Sequence, residues 1–141
     1  MTRMYSIGDL SARTGVKVPT IRYYEEAGLL ANAGRTAGNQ RRYDAAGLAR
    51  LGFIRHARDL GFPLAAIQSL IALQDHPDRS CAEANAIATD RLRDVQARIA
   101  RLRRLEAELK RVADSCDAPG PAGDCHVLAS LADHDLCEGG H

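Results

Sequence analysis

The sequence predicts a mainly α-helical protein in which a winged helix-turn-helix head precedes a long helix of an antiparallel coiled coil. Three observations predict this fold class. Two short helical segments are joined by a glycine turn, a Gly- and Asn-containing hairpin follows them, and a helical repeat without Pro or Gly extends over residues 81–115. A small helical core without any recognition role is the alternative interpretation of the first two helices.

The first helix begins at a capping motif. Ser6 and Asp9 have the spacing of a capping box, with Asp in place of the usual Glu or Gln. They predict a helix over about 7–14, and Gly15 is suited to end it.

The remaining elements of the head follow from helix starts and helix breakers. They are a helix over about 19–27 with Pro19 in its first turn, a small hairpin within 29–43, a helix over about 45–60 after Asp44, and a helix over about 64–74 after Pro63.

The long helix carries an apolar seam with coiled-coil spacing. Its apolar positions alternate by four and three, are interrupted at Glu106, and resume at Leu109. Cys81 and Cys116 share one heptad position at the two ends of this seam. At 1.5 Å rise per residue they are roughly 50 Å apart, so they cannot meet within one chain. Two antiparallel copies would place Cys81 of one chain beside Cys116 of the other.

A third thiol follows closely in the sequence. Cys125 lies nine positions after Cys116, with two prolines and two glycines between them, and a short apolar segment at 127–131 comes next. Soft metal ions prefer thiolates, and three convergent cysteines can make a trigonal or distorted tetrahedral site. The spacing therefore predicts a metal site that exists only in a homodimer.

Charge is distributed unevenly along the chain. Residues 1–58 carry ten Lys or Arg against four Asp or Glu, whereas no Lys or Arg follows Arg111. A basic head indicates a phosphate-bearing partner, and an acidic tail with Cys and His suits a cation. Neither a membrane-length apolar run nor a signal-peptide pattern is present, so we expect a cytoplasmic protein with reduced thiols.

The head resembles a known family. The segments YSIGDLSARTGVKVPTIRYYEEAGLL, GNQRRYD and FIRHARDLGF are similar, in order and without large gaps, to the N-terminal half of MerR-family transcription regulators. In the metal-sensing branch of that family a dimerisation helix and a metal-binding loop follow. The resemblance implies three segments, which are a DNA-binding domain at 1–76, a coiled-coil helix at 77–116, and a metal-binding loop with tail at 117–141.

The resemblance also implies contacts with double-stranded promoter DNA. Carried over position by position, the expected contacts come from the recognition helix, the wing and the following helix, and are Thr20, Arg22, Tyr24, Arg35, Arg41, Arg42, Tyr43, Arg55 and Arg58. Guanidinium groups suit this role because they donate two hydrogen bonds at once to phosphate or guanine and keep their charge.

For the metal, the resemblance favours a soft divalent ion. The family's copper(I) sensors typically have serine at the position of Cys81, whereas a cysteine there resembles the zinc, cadmium, lead and mercury sensors. The 35-plus-9 spacing resembles the three-thiolate lead, cadmium and mercury type, since the loop lacks the additional Cys or His usual in zinc sensors. His126, His134, Cys137 and His141 could complete a tetrahedral site, form a second one, or bind nothing.

The implied function is activation of metal-resistance or efflux genes. The dimer would distort a promoter with an overlong spacer so that RNA polymerase engages both of its elements. The alternatives are a copper(I)-responsive regulator, a thiol-based redox sensor, and a constitutive DNA-binding dimer with structural zinc. We expect no enzyme, because no catalytic constellation rises above chance.

Overall fold

The computed structural model describes residues 3–115 and 120–133 and is mainly helical. The elements in chain order are β1 (Tyr5–Ser6), α1 (Ile7–Thr14), α2 (Val18–Glu26), β2 (Gly34–Arg35), β3 (Arg41–Tyr43), α3 (Ala45–Asp59), α4 (Leu64–Gln74), α5 (Ala82–Asp114), a short 3-10 helix (Ala122–Asp124) and α6 (His126–Ala132).

Helix α1 starts and ends as the sequence predicts. The Ser6 hydroxyl accepts a hydrogen bond from the Asp9 backbone N–H, and the Asp9 carboxylate accepts one from the Ser6 N–H, each at 3.0 Å. This reciprocal pair satisfies two donors that the helix start leaves open. At the other end Gly15 has φ 76°, a left-handed conformation that favours glycine.

Helix α2 follows after a three-residue turn. Pro19 lies in its first turn, and the Lys17 side chain makes no capping hydrogen bond, so the start of α2 depends on proline geometry instead. Together, α1, this turn and α2 form the helix-turn-helix that the sequence predicts.

The small sheet has one strand more than the predicted hairpin. β2 and β3 pair antiparallel as expected, and β1 pairs antiparallel with the other edge of β3, giving the order β1-β3-β2. Tyr5 lies opposite Tyr43, and Gly34 lies opposite Arg42. The segment before α1 is therefore part of the wing sheet.

One aliphatic core holds the head together. The fully buried large side chains come from α1, α2, β3, α3 and α4, and are Leu10, Ile21, Tyr43, Leu51, Ile54 and Ile67. Leu29 and Leu30, which follow α2, are also buried, and Phe53 packs against the cluster while half-buried. These contacts fix the helix-turn-helix and the wing in one body.

Helix α5 is a continuous helix of 33 residues with an exposed apolar row. Leu92, Leu102 and Leu109 are 54%, 63% and 64% exposed. Ion pairs with i,i+3 or i,i+4 spacing lie on the other faces, and the exposed ones among them, Arg93 with Asp90 and Arg98 with Asp94, contribute little stability. The helix therefore carries much apolar surface that its own chain leaves in water.

The chain forms two compact units, residues 1–87 and 88–141. None of the helices among the described residues is both long and apolar enough to cross a membrane.

The α1 cap can be tested directly. We expect Ser6→Ala to lower the free energy of unfolding by about 1 kcal/mol, because the Asp9 N–H loses its acceptor. Ser11→Ala in the same helix is the matched control and should change stability by less than about 0.5 kcal/mol. Urea titrations followed by circular dichroism at equal protein concentration measure both, and equal losses for the two variants would contradict the assignment.

Candidate DNA-binding surface and metal ligands

Helix α2 presents a different tyrosine from the one that the sequence favoured. Tyr23 is 52% exposed, whereas Tyr24 is 7% exposed and belongs to the core cluster. Ile21 and Tyr24 are three residues apart and share the inner face of α2. This burial disfavours the expected DNA contact by Tyr24, and Tyr23 lies on the outer face of the helix instead. Arg22 is exposed, and Thr20 is half-buried.

The wing side chains divide between the surface and the interior. Arg35 is exposed and donates a hydrogen bond to the Asn39 carbonyl at 3.2 Å, and Arg42 is half-buried. Tyr43 is completely buried, which disfavours its expected contact with DNA. Its ring fills the core beneath β3, and such a position has no access to a phosphate or a base.

Arg41 and Tyr43 meet at one carboxylate. Glu25, in the last turn of α2, accepts a hydrogen bond from the Arg41 Nε at 3.0 Å and one from the Tyr43 hydroxyl at 2.5 Å. A third comes from the Asn32 Nδ2 at 2.7 Å. Arg41 is thus engaged within its own chain, and the Glu25 side chain is only 14% exposed.

These contacts shift two pKa values in opposite directions. Burial by itself raises the pKa of Glu25, but the hydrogen bonds from Tyr43, Asn32 and Arg41 outweigh burial and hold it below its ordinary value of 4.5. The pKa of Tyr43 is raised, first by burial and then by its bond to the Glu25 carboxylate. Glu25 is thus ionised, and Tyr43 is neutral, over the physiological pH range.

A cleft of about 360 Å³ opens beside these residues. It is formed by the start of α1, by α2 and by the wing, and its lining residues are Ser6, Ile7, Gly8, Arg22, Asn39, Gln40 and Arg41. Arg22 and Gln40 bring hydrogen-bond donors to it, which suits a phosphate-bearing ligand.

The two arginines of α3 that are expected to contact DNA also bond to backbone within the head. Arg55 donates to the Thr14 carbonyl at the end of α1 and lies 3.8 Å from an Asp59 carboxylate oxygen. Arg58 donates to the Phe62 carbonyl at 3.2 Å. Both side chains are exposed, so these bonds orient them while leaving them accessible.

The described cysteines lie at helix starts. Cys81 is exposed directly before α5, and its carbonyl accepts the first hydrogen bond of that helix from Asn85. Cys125 is half-buried between the 3-10 helix and α6. His126 begins α6 and is exposed. The other predicted ligands Cys116, His134, Cys137 and His141 lie outside the described residues.

Within one chain, the described residues form no group of three or more His, Cys, Asp or Glu side chains suited to a metal ion. The Cys81 thiol and, separately, the Cys125 thiol with the adjacent His126 are nevertheless of the donor types that a soft divalent ion prefers.

Comparison with known proteins agrees with this arrangement. The MerR HTH family regulatory protein profile matches residues 5–74, and the profile described as MerR, DNA binding matches residues 48–112. The HTH-type transcriptional regulator ZntR of Escherichia coli K12 is 42% identical over 130 residues, which are 91% of this chain and 92% of that protein. The chain belongs to the MerR family. It is therefore a DNA-binding transcription regulator and not an enzyme.

Two further MerR-family proteins are similar over most of their length. The mercuric resistance operon regulatory protein of Pseudomonas fluorescens is 37% identical, and the match covers 89% of this chain and 86% of that protein. The crystal structure of the transcription regulator PbrR691 from Ralstonia metallidurans CH34, in complex with lead(II), superposes with a TM-score of 0.77 at 38% identity. That match covers 93% of this chain and 99% of the other.

Sequence reasoning missed three features of this MerR-family head. It favoured Tyr24 over the adjacent Tyr23, and it overlooked the Glu25 carboxylate and Tyr5, whose ring has the guanidinium groups of Arg3 and Arg13 each 5.1 Å from its centre. The signal available for the role of Glu25 was the spacing of Arg41 and Tyr43 in one strand. Residues two apart in a strand face the same side, so both could reach one acceptor.

The lowered pKa of Glu25 predicts an acid-dependent contribution to stability. A carboxyl whose pKa is depressed by folding stabilises the protein above its unfolded pKa, and this contribution is lost as the pH falls through the folded value. We expect Glu25→Gln to be less stable than wild type at pH 7, and the difference in free energy of unfolding to shrink as the pH falls below 4.5, the ordinary pKa of this carboxyl. Denaturant titrations between pH 7 and pH 3 measure this difference.

Glu26→Gln is the matched control for that titration, since Glu26 is the exposed neighbour of Glu25. Its stability should remain close to that of wild type at each pH. A gap between wild type and Glu25→Gln that stays constant down to pH 3 would contradict the role assigned to the Glu25 carboxylate.

Proposed function

We propose that this protein is a homodimeric, metal-responsive regulator that activates metal-resistance or efflux genes by distorting their promoter on binding zinc, cadmium, lead or mercury. The observation that carries the proposal is the exposed thiol of Cys81 at the start of α5, a helix with an exposed apolar row. The similarity to a regulator of known structure in complex with lead(II) supports it. A regulator of promoter DNA acts in the cytoplasm, where thiol ligands stay reduced.

A second copy of the chain is the partner that the α5 row requires. Ala88, Val95, Leu102 and Leu109 recur at seven-residue spacing, and adjacent Leu92 and Ile99 widen the stripe. An antiparallel copy placed so that Cys81 faces Cys116 of the other chain would also set Ala88 opposite Leu109 and Val95 opposite Leu102. One register thus buries the apolar row and brings the thiols of both chains together.

The residues that would hold the metal are Cys81 of one chain with Cys116 and Cys125 of the other. When bound, the ion would supply a link between the two chains that thiolates alone cannot make, because thiolates repel one another. His126, His134 and Cys137 are further candidate ligands from the segment after Cys125. Deprotonated thiolates favour soft divalent ions over the hard cations that carboxylates bind.

The segments have separate tasks in this proposal. Residues 1–76 bind DNA, 77–116 make the dimer, and 117–141 contribute the loop and tail of the metal site. The DNA-facing groups are Thr20 and Arg22 with Tyr23 on α2, Arg35 and Arg42 on the wing, and Arg55 and Arg58 on α3.

Coupling between metal and DNA requires a difference in affinity. A site shared by two chains changes the equilibrium between head orientations only if the ion favours one orientation over another. The repressed and active forms would then differ in how strongly the promoter is bent and untwisted, and RNA polymerase engages both promoter elements only in the active form. Bending a site of this size involves about 1–6 kcal/mol, which a coupling of ordinary size can supply in large part.

The metal ligands can be tested by competition. Anaerobic protein is offered zinc, cadmium, lead, mercury and copper(I) together, and bound metal is measured by mass spectrometry. We expect a divalent ion to win. Cys81→Ser should lower its affinity by more than about 100-fold, because loss of a ligand exceeds the 10–100-fold effect of outer-shell groups.

Cys137→Ser is the comparison variant and should retain the divalent ion if the three thiolates suffice. Copper(I) winning in the wild type, with Cys81→Ser still binding it, would place the site in the 116–125 loop alone. The regulator would then be of the copper-responsive kind.

The promoter mechanism predicts a metal-dependent change in DNA shape. A fluorophore-labelled fragment of the regulated promoter should show different end-to-end transfer efficiency with the apo and metal-bound protein. Transcription by purified RNA polymerase should rise with the same metal dependence. Equal DNA shape and equal transcription in both states would exclude this mechanism and favour a constitutive DNA-binding dimer with structural metal.

A further inference from the structure

The Glu25 carboxylate joins the recognition helix to both strands of the wing. Its Oε1 accepts from Asn32 and Arg41, and its Oε2 accepts from Tyr43. Arg41 and Tyr43 belong to β3. Asn32 extends the connection to β2, because its Oδ1 accepts a hydrogen bond from the Gly34 N–H at 3.1 Å.

These hydrogen bonds are well suited to fix a distance. Three donors on one carboxylate restrain it in more than one direction, and bonds to a charged group are stronger than neutral ones. The Tyr43 ring is itself immobilised in the core, and Glu25 is mostly shielded from water, so solvent competes weakly for these donors.

The arginines proposed to contact DNA lie on either side of this junction, Arg22 and Arg35 exposed and Arg42 half-buried. Arg22 precedes Glu25 by three residues on α2, and Arg35 and Arg42 are carried by the strands that Glu25 holds. Phosphate contacts fix the register of a protein on DNA only when several of them are made together. Arginines on two separate elements can do so only if the spacing between those elements is set.

We propose that Glu25 is a positioning residue that holds the wing at a fixed separation from α2, so that Arg22, Arg35 and Arg42 bind one stretch of DNA backbone together. Arg41 then links β3 to α2, because its Nε donates a hydrogen bond to Glu25. The inference rests on DNA binding by the head and is independent of which metal ion the protein senses.

For Glu25→Gln, the direction of the change in DNA affinity distinguishes loss of positioning from loss of charge. The substitution removes a negative charge, and by long-range electrostatics alone it would strengthen binding to DNA. Loss of position predicts the opposite, because the amide can no longer accept from three donors. Glu26→Gln removes the same charge one residue away from an exposed side chain and is the matched control.

The experiment uses full-length apo protein and a fluorescent duplex selected from a random library by wild-type protein. Affinity is measured by anisotropy over a series of salt concentrations, and circular dichroism is recorded in parallel as a check of folding. We expect Glu25→Gln to bind about tenfold more weakly, as loss of a hydrogen bond to a charged group implies. Glu26→Gln should bind as tightly as wild type or slightly more tightly.

The salt dependence separates positioning from general destabilisation. If wing contacts are lost, the plot of log affinity against log salt becomes less steep by about 0.9 for each phosphate contact that is no longer made. A protein that is merely less stable keeps the wild-type slope in its folded fraction. Tighter binding by Glu25→Gln, or weaker binding with an unchanged slope, would overturn the proposal.

Tyr43→Phe provides a second, milder variant should Glu25→Gln fail to fold. It keeps the buried ring and removes only the hydroxyl that donates to Glu25. We expect a smaller loss of affinity in the same direction with a less steep salt dependence. Wild-type affinity and slope in this variant would overturn the proposal independently of Glu25→Gln.

Discussion

The arrangement of the head depends on the hydrogen bonds that the carboxylate of Glu25 accepts. A carboxylate with little exposure is unfavourable unless donors surround it, and a buried tyrosine hydroxyl is unfavourable unless it has an acceptor. Glu25 and Tyr43 meet both requirements for each other. Because Tyr43 lies at the centre of the core and pairs with β1, the same contact links the sheet, the core and the last turn of α2.

The sequence predicts helix ends well, and it predicts contacts between residues far apart in the chain poorly. The bounds of α1 and α4 match the predicted ranges because caps and breakers act within one turn of the chain. β1 has only two residues, too few for any periodicity, and its partner lies far along the chain. The face of Tyr24 could not be set from the sequence, since α2 has nine residues and tyrosine suits either the core or the surface. The hydrogen bond from Arg41 to Glu25 could not be predicted either, because a charged residue is expected at the surface unless its acceptor is known.

Helix α5 shows why one chain gives only part of the candidate metal site. Its exposed leucines contribute little stability in a single chain, since helices in proteins gain most of their stability from packing an apolar face. A second copy would bury the leucines and would be the source of the thiols that one chain cannot bring together. The sequence spacing predicts this arrangement, and the two described thiols supply the donor type but not yet the complete set of ligands.

The pairing of β1 with β3 also constrains the order in which the head can fold. Contacts within α1, the turn and α2 join neighbours in the sequence, so they can form early and quickly. The wing sheet is different, because Tyr5 can pair with Tyr43 only when a loop that contains the whole helix-turn-helix has closed. The strand nearest the start of the chain is thus among the last to be paired. A head shortened before β3 would lose both the partner of its first strand and most of the buried side chains against which α1 and α2 pack.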